Sequence, residues 1–261
     1  MLSFDNLTID VAKFRWLGKK QWSPLLQDIS LDVAPGEMVA LVGGSGEGKS
    51  LLLQSSLGLL PENMRCRGDI VLNGSQLTEK SKQQYRGNSL CYIPQGVSAL
   101  NPLIKIGPQL ERAAVLSGQH IQMHDVALHL QQYNLQADLI HSYPNKLSGG
   151  MAKRVLACSA TLSQAEYILA DEISSWLDDE HAMQLLQHIK SLCFDGKGVL
   201  WVTHDLAMAV RFADRIALLR NGVLEEVLSS ERLKQGGGGK WFQSLWNSLP
   251  EQQFMNWTNT I

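Results

Sequence analysis

The chain has 261 residues and a mass of 29.0 kDa, and its 44% hydrophobic content supplies the core of one large domain or of a domain with an inserted subdomain. A net charge of -2 and a pI near 6.4 exclude an overall field that draws the molecule to nucleic acid or anionic lipid, leaving only local patches. Cys66, Cys91, Cys158 and Cys193 lack the close pairing of a zinc site and the density of a secreted disulfide scaffold, so they read as reduced and structural.

The opening stretch MLSFDNLTID shows no basic segment followed by a long apolar run. No uninterrupted apolar stretch reaches the roughly 20 residues that span a bilayer. The expectation is a cytoplasmic chain that meets a membrane through partners. Short β-rich runs follow one another (LSFDNLTIDV, LLQDISLDV, EMVALVG, GDIVLNG), separated by turn signals at 34–37 and 73–74. They predict a mixed sheet around LVGGSGEGKS, residues 41–50.

Gly43, Gly48, Lys49 and Ser50 satisfy the spacing GxxxxGK[ST], with an apolar strand before it and the helix-prone LLLQSSLGLL after it. Glycine lets consecutive amides turn inward on a phosphate chain, and the helix that starts at the lysine adds its positive end. The predicted cradle runs through Gly43, Gly44, Ser45, Gly46, Glu47, Gly48, Lys49, Ser50 and Leu51. Lys49 is expected to reach the β- and γ-phosphates of ATP and Ser50 to ligate Mg²⁺.

After SLCYIPQ (89–95) the spacing becomes helical through about 103–140, which predicts an inserted helical subdomain. LSGGM (147–151) sits where a helix begins, and offers a serine and bare glycine amides to an anion. YILADE delivers Asp171 and Glu172 to the end of an apolar strand, Asp171 for the Mg²⁺ shell and Glu172 to polarise an attacking water. A helix near 179–193, the strand GVLWVTH (198–204), a helix near 205–213 and the strand RIALLRNG then alternate, as in a parallel α/β sheet. KQGGGGKW (234–241) reads as a flexible linker into an aromatic-rich tail.

The order and spacing of these three motifs resembles the ATP-binding cassette (ABC) ATPases, from about residue 2 to about 230. The resemblance implies an α/β P-loop NTPase fold with a mixed β-sheet subdomain and an inserted α-helical signature subdomain at about 96–160, the ATPase domain covering 1–230 and a linker and tail 231–261. It implies that Gln95, in YIPQ, meets Mg²⁺ and the membrane partner, and that His204, in WVTHD, contacts the γ-phosphate. It also implies a dimer, in which Ser148, Gly149 and Gly150 act on the partner's ATP and Asp178 bridges the two sites. His120, His124, His129 and the remaining histidines have no matching role. Ile173, Trp176 and Lys153 depart from the family pattern, which usually has a proline, a small residue and a glutamine there. Phe14, Trp16 and Trp22 are all candidates to stack on adenine, with packing or partner contact as the equal alternative.

IPQGVSALNPLIKIGPQL and YPNKLSGGMAKR are similar to the oligopeptide, dipeptide and nickel importer branch, and 41–74 looks most like its D-type nickel ATPases. That implies a second ABC ATPase subunit of different sequence, two integral-membrane permease subunits and a periplasmic or surface solute-binding protein. It places the chain on the cytoplasmic face of the plasma membrane, with nickel, a metal chelate or a short peptide as cargo. No nucleic-acid partner and no iron–sulfur centre are expected. The rival readings are a soluble ABC protein acting on nucleic acid or ribosomes, and a weakly hydrolysing member of an unequal ATPase pair. Trp176 either buries against a partner subunit or packs within the chain over the acidic pair.

Overall fold

A computed structural model describes residues 1–14 and 20–248. The N-terminal strands β1 (Leu2–Phe14) and β2 (Lys20–Val33) pair antiparallel, and after them come β3 (Met38–Gly43) and α1 (Lys49–Ser56). Next are β4 (Met64–Leu72), β5 (Ser75–Gln76), α2 (Glu79–Tyr85) and β6 (Leu90–Ile93). The helical stretch contributes α3 (Ile106–Leu116), α4 (Met123–Gln132) and α5 (Gly149–Thr161). Strand β7 (Tyr167–Asp171), α6 (Asp179–Phe194), β8 (Gly198–Thr203), α7 (Leu206–Phe212) and β9 (Arg215–Arg220) alternate, and β10 (Val223–Ser229), α8 (Ser230–Lys234) and α9 (Lys240–Asn247) follow.

The β-rich first part divides between two sheets. β2-β1-β4-β5 forms an antiparallel sheet, whereas β3 joins β10-β9-β3-β8-β7-β6, which is parallel except at the β9–β10 hairpin. The reason lies in burial. MVALVG is apolar at every position but its terminal glycine and is covered on both faces, as a central parallel strand requires. Met38, Ala40 and Val42 face the cluster built with α3 to α7, while Val39 and Leu41 face the cluster built with α1 and the antiparallel sheet. β7 and β8 repeat that two-residue alternation. Arg215 ties the sheets together: its guanidinium donates to Glu37 Oε1 at 2.6 Å and to Asp32 Oδ2 at 3.1 Å.

The C-terminal stretch corrects one expectation. Residues 234–241 are not a loose linker, because a Cβ on Gly237 would lie 2.6 Å from the Arg232 carbonyl and the amide of Gly239 donates to Glu226 Oε2 at 2.7 Å. Gly238, at φ 103, closes a tight turn that seats α9 with Phe242 fully buried in the main core. Among the described residues no helix is long and apolar enough to cross a membrane.

Candidate functional site

The candidate site lies at the C-terminal ends of β3, β6, β7 and β8, the edge at which open α/β sheets bind ligands. The loop from β3 to α1 starts where a Cβ on Gly43 would sit 2.4 Å from the Leu219 carbonyl. It ends at Gly48, whose φ of 93 and 3.0 Å approach to the Leu26 side chain make any side chain there strained. A helix following such a cap presents its unsatisfied first-turn amides to the loop. Lys49 is buried, and Nζ donates to the carbonyls of Gly43 at 2.8 Å and Gly44 at 2.7 Å. Burial lowers its pKa, against the pull of Glu172, Glu47 and Asp171, which favour the ammonium.

β7 carries Asp171 into the buried end of that loop. Ser50 Oγ donates to Asp171 Oδ1 at 2.9 Å, and the Tyr92 hydroxyl donates to Oδ2 at 3.0 Å. Burial raises the carboxyl above its usual range, and the two hydroxyls oppose that rise. Glu172 stands one step further out, with 17% of its side chain exposed. Gln95 Nε2 donates to its Oε2 at 2.7 Å, and His204 Nδ1 lies 3.5 Å from its Oε1. His204 is placed by the β8–α7 junction, where Asp205 caps α7 by accepting from the Met208 amide at 2.9 Å.

A cavity of about 280 Å³ opens between Ser45, Gly46, Gly48, Lys49, Ser50, Leu51, Gln95 and Glu172. The structure therefore brings the loop, Asp171, Glu172, Gln95 and His204 together. Glu47 turns the other way, its carboxylate folded beside Gly43 and Gly44 towards a second cavity of about 320 Å³ shared with His204 and Trp241.

Ser148 caps α5, accepting from the Met151 amide at 3.2 Å. A Cβ on Gly149 would meet open space, whereas one on Gly150 would touch Leu177 at 3.1 Å. A substitution at Gly150 therefore also disturbs its own subunit, a consequence absent from the sequence reading. Asp178 caps α6 and accepts from the His181 amide at 3.0 Å and from its ring. Those hydrogen bonds hold its carboxyl below the usual range. Of the adenine candidates, Trp16 and the Phe14 side chain lie outside the described residues. Trp22 has Lys20 and Arg65 over its ring at 4.4 and 4.3 Å, and it does not line either cavity.

Three participants escaped the sequence reading. Tyr92 reaches Asp171 through the β6–β7 register, where it pairs with Leu169; it opens YIPQ, whose only assigned role was that of Gln95. Lys153 stood out only as a departure, yet its buried Nζ donates to the Glu172 carbonyl at 3.2 Å. Trp241 comes from the aromatic tail and lies 3.9 Å from the Arg220 guanidinium beside the loop.

A glycine-rich strand-to-helix loop with lysine and serine, facing an acidic pair at the end of a neighbouring strand, defines a P-loop nucleoside triphosphatase. The family model described as ABC transporter matches residues 26–175, and the chain belongs to that family as one of its ATP-binding, ATP-hydrolysing cassettes. It is 32% identical over 258 residues to the oligopeptide transport ATP-binding protein OppD of Lactococcus lactis subsp. cremoris, covering 92% of this chain and 74% of that one. It is 30% identical over 214 residues to the metal-staphylopine import system ATP-binding protein CntD of Staphylococcus aureus, covering 78% and 79%. Among solved structures, the dimeric bacterial ABC transporter cassette MJ0796 matches with a TM-score of 0.76 and 26% identity, over 88% of this chain and 99% of that one. A post-hydrolysis state of the same cassette, bound to ADP and Pi, matches with a TM-score of 0.74 and 27% identity over the same shares.

Proposed function

We propose that this chain is the nucleotide-binding subunit of a bacterial importer that takes up a metal chelate, nickel or a short peptide. It works on the cytoplasmic face of the plasma membrane, with a second ABC ATPase subunit, two permease subunits and a solute-binding protein. The import reading is supported by the likeness to OppD and CntD. Its chemistry rests on one observation, the convergence of Lys49, Ser50, Asp171, Glu172, Gln95 and His204 at the strand ends.

ATP binding turns the Lys49 ammonium from the Gly43 and Gly44 carbonyls to the β- and γ-phosphates, whose charge stabilises it in a buried place. Ser50 Oγ, the Asp171 carboxylate and the Gln95 amide oxygen are hard oxygen donors, a set that suits Mg²⁺ and would hold it. When bound, the ion supplies charge neutralisation on the phosphate oxygens. Glu172 orients and polarises the attacking water, with Gln95 and His204 fixing its carboxylate on either side. Ser148 and the bare amides of Gly149 and Gly150 act on the partner subunit's nucleotide, and Asp178 bridges the two sites.

These roles separate in two variants. Lys49→Ala abolishes nucleotide binding or nearly so, because the lysine acts on ground-state phosphate charge. Glu172→Gln keeps binding but stops turnover and accumulates an ATP-bound dimer, because the carboxylate acts only on the water. Equilibrium ATP binding and steady-state hydrolysis of both variants provide the test. An equal loss of ATP affinity in the two contradicts the assignment.

A further inference from the structure

We propose that Lys153 is a positioning residue for Glu172, an ammonium on the signature helix α5 that pins the backbone bearing the water-activating carboxylate. The inference rests on the role given to Glu172 above. Three observations converge on it.

First, Glu172 has a φ of 46, a left-handed conformation that a residue with a side chain keeps only where its surroundings over-determine it. Its amide donates to the Val202 carbonyl at 2.9 Å, continuing the pairing of β7 with β8. Its carbonyl accepts from Ser175 Oγ at 2.6 Å, from the Ser175 amide at 3.2 Å and from Lys153 Nζ at 3.2 Å. Of these donors, Lys153 alone comes from outside the loop that follows β7.

Second, Lys153 is 1% exposed, a rare state for a lysine. Burial lowers its pKa, while Asp171 and Glu172 act in the opposite sense and favour the charged form. The cation, held at the Glu172 carbonyl, attracts both carboxylates of the site and offsets the cost of burying Asp171. Third, Lys153 lies one turn after Ser148, Gly149 and Gly150 on the same helix. A rotation of α5 moves the Lys153 ammonium, so the position of the signature serine and glycines is transmitted to Glu172 in the same subunit.

The test compares Lys153→Met, which keeps length without donor or charge, with Lys153→Gln, which keeps a donor. Both are made in the full chain, with Glu172→Gln as reference. Expected for Lys153→Met is faster hydrogen–deuterium exchange in nucleotide-free protein, confined to amides 172–177. Its kcat falls on the order of 10- to 100-fold with ATP affinity unchanged, the size of effect that misplacing a catalytic group produces. Lys153→Gln recovers most of the rate. Wild-type exchange and kcat in Lys153→Met overturn the proposal. So does an equal loss in both variants that tracks a lowered Tm with exchange raised along the whole chain, since that marks a structural residue only. Normal turnover by Glu172→Gln would instead remove the role of Glu172, whatever the exchange shows.

Discussion

Trp176 puts a whole indole into solvent, 83% exposed, at a φ of 70 that favours glycine. The exposure rules out packing over the acidic pair within the chain and leaves the surface beside Gly150, where the Trp176 carbonyl is the next neighbour after Leu177. An exposed indole next to the signature glycines is the geometry of an anchor that buries its area on an opposing subunit. Trp176→Ala is expected to weaken ATP-dependent association with the partner by more than about 1 kcal/mol, leaving nucleotide binding to the isolated chain unchanged. Dimer affinity with ATP, measured where hydrolysis is blocked, decides it. Normal association of the alanine variant refutes the anchor.

Among the elements, the antiparallel sheet depends on a buried charge. Asp10 on β1 accepts from Arg65 Nε at 2.9 Å and Arg67 Nε at 3.0 Å, both on β4. Burial by itself raises the carboxyl, but the two guanidinia outweigh it and hold it below the usual carboxylate range. A carboxyl whose pKa is depressed by folding contributes stability that is present above its unfolded pKa and is lost as pH falls through its folded value. Asp10→Asn is therefore expected to cost about 1–2 kcal/mol at neutral pH, a figure reduced by the half-exposed guanidinia. The gap from wild type narrows as pH falls through the depressed folded pKa of Asp10, where both proteins come to lack the charge. Urea midpoints followed across pH provide the measurement, and a gap independent of pH would show that the ion pairs contribute nothing. α9 is the other element that matters to the site, because it brings Trp241 and Leu245 to the wall behind the phosphate loop.

Among the described residues, two apolar clusters lie on either face of the mainly parallel six-stranded sheet, with the candidate site at the C-terminal ends of its strands. On the proposed reading, cargo passes through other subunits. Cargo is therefore a property to be read in cells. Deleting the gene is expected to abolish uptake of labelled nickel supplied with a metal-chelating culture supernatant while sparing labelled dipeptides. Normal metal accumulation with lost dipeptide uptake transfers the system to peptides, and loss of neither removes the importer reading.

The local chain by itself determined the phosphate loop, because a strand, a glycine run and Lys49–Ser50 are contiguous and their spacing is a complete geometric instruction. Asp171 and Glu172 were legible only beside that loop, since an acidic pair ending an apolar strand by itself also reads as a helix N-cap. Gln95 and His204 were legible only through resemblance, since a single polar residue after a strand carries no spacing of its own. Tertiary structure decided the rest. Tyr92 reaches Asp171, and Lys153 reaches Glu172, across elements 79 and 19 residues apart, where register and helix rotation rather than sequence distance set the contact. The four glycines of 236–239 look like a linker in sequence because glycine permits any conformation. The carbonyls and side chains packed against Gly237, Gly238 and Gly239 select one, and Phe242 holds the following helix in the core.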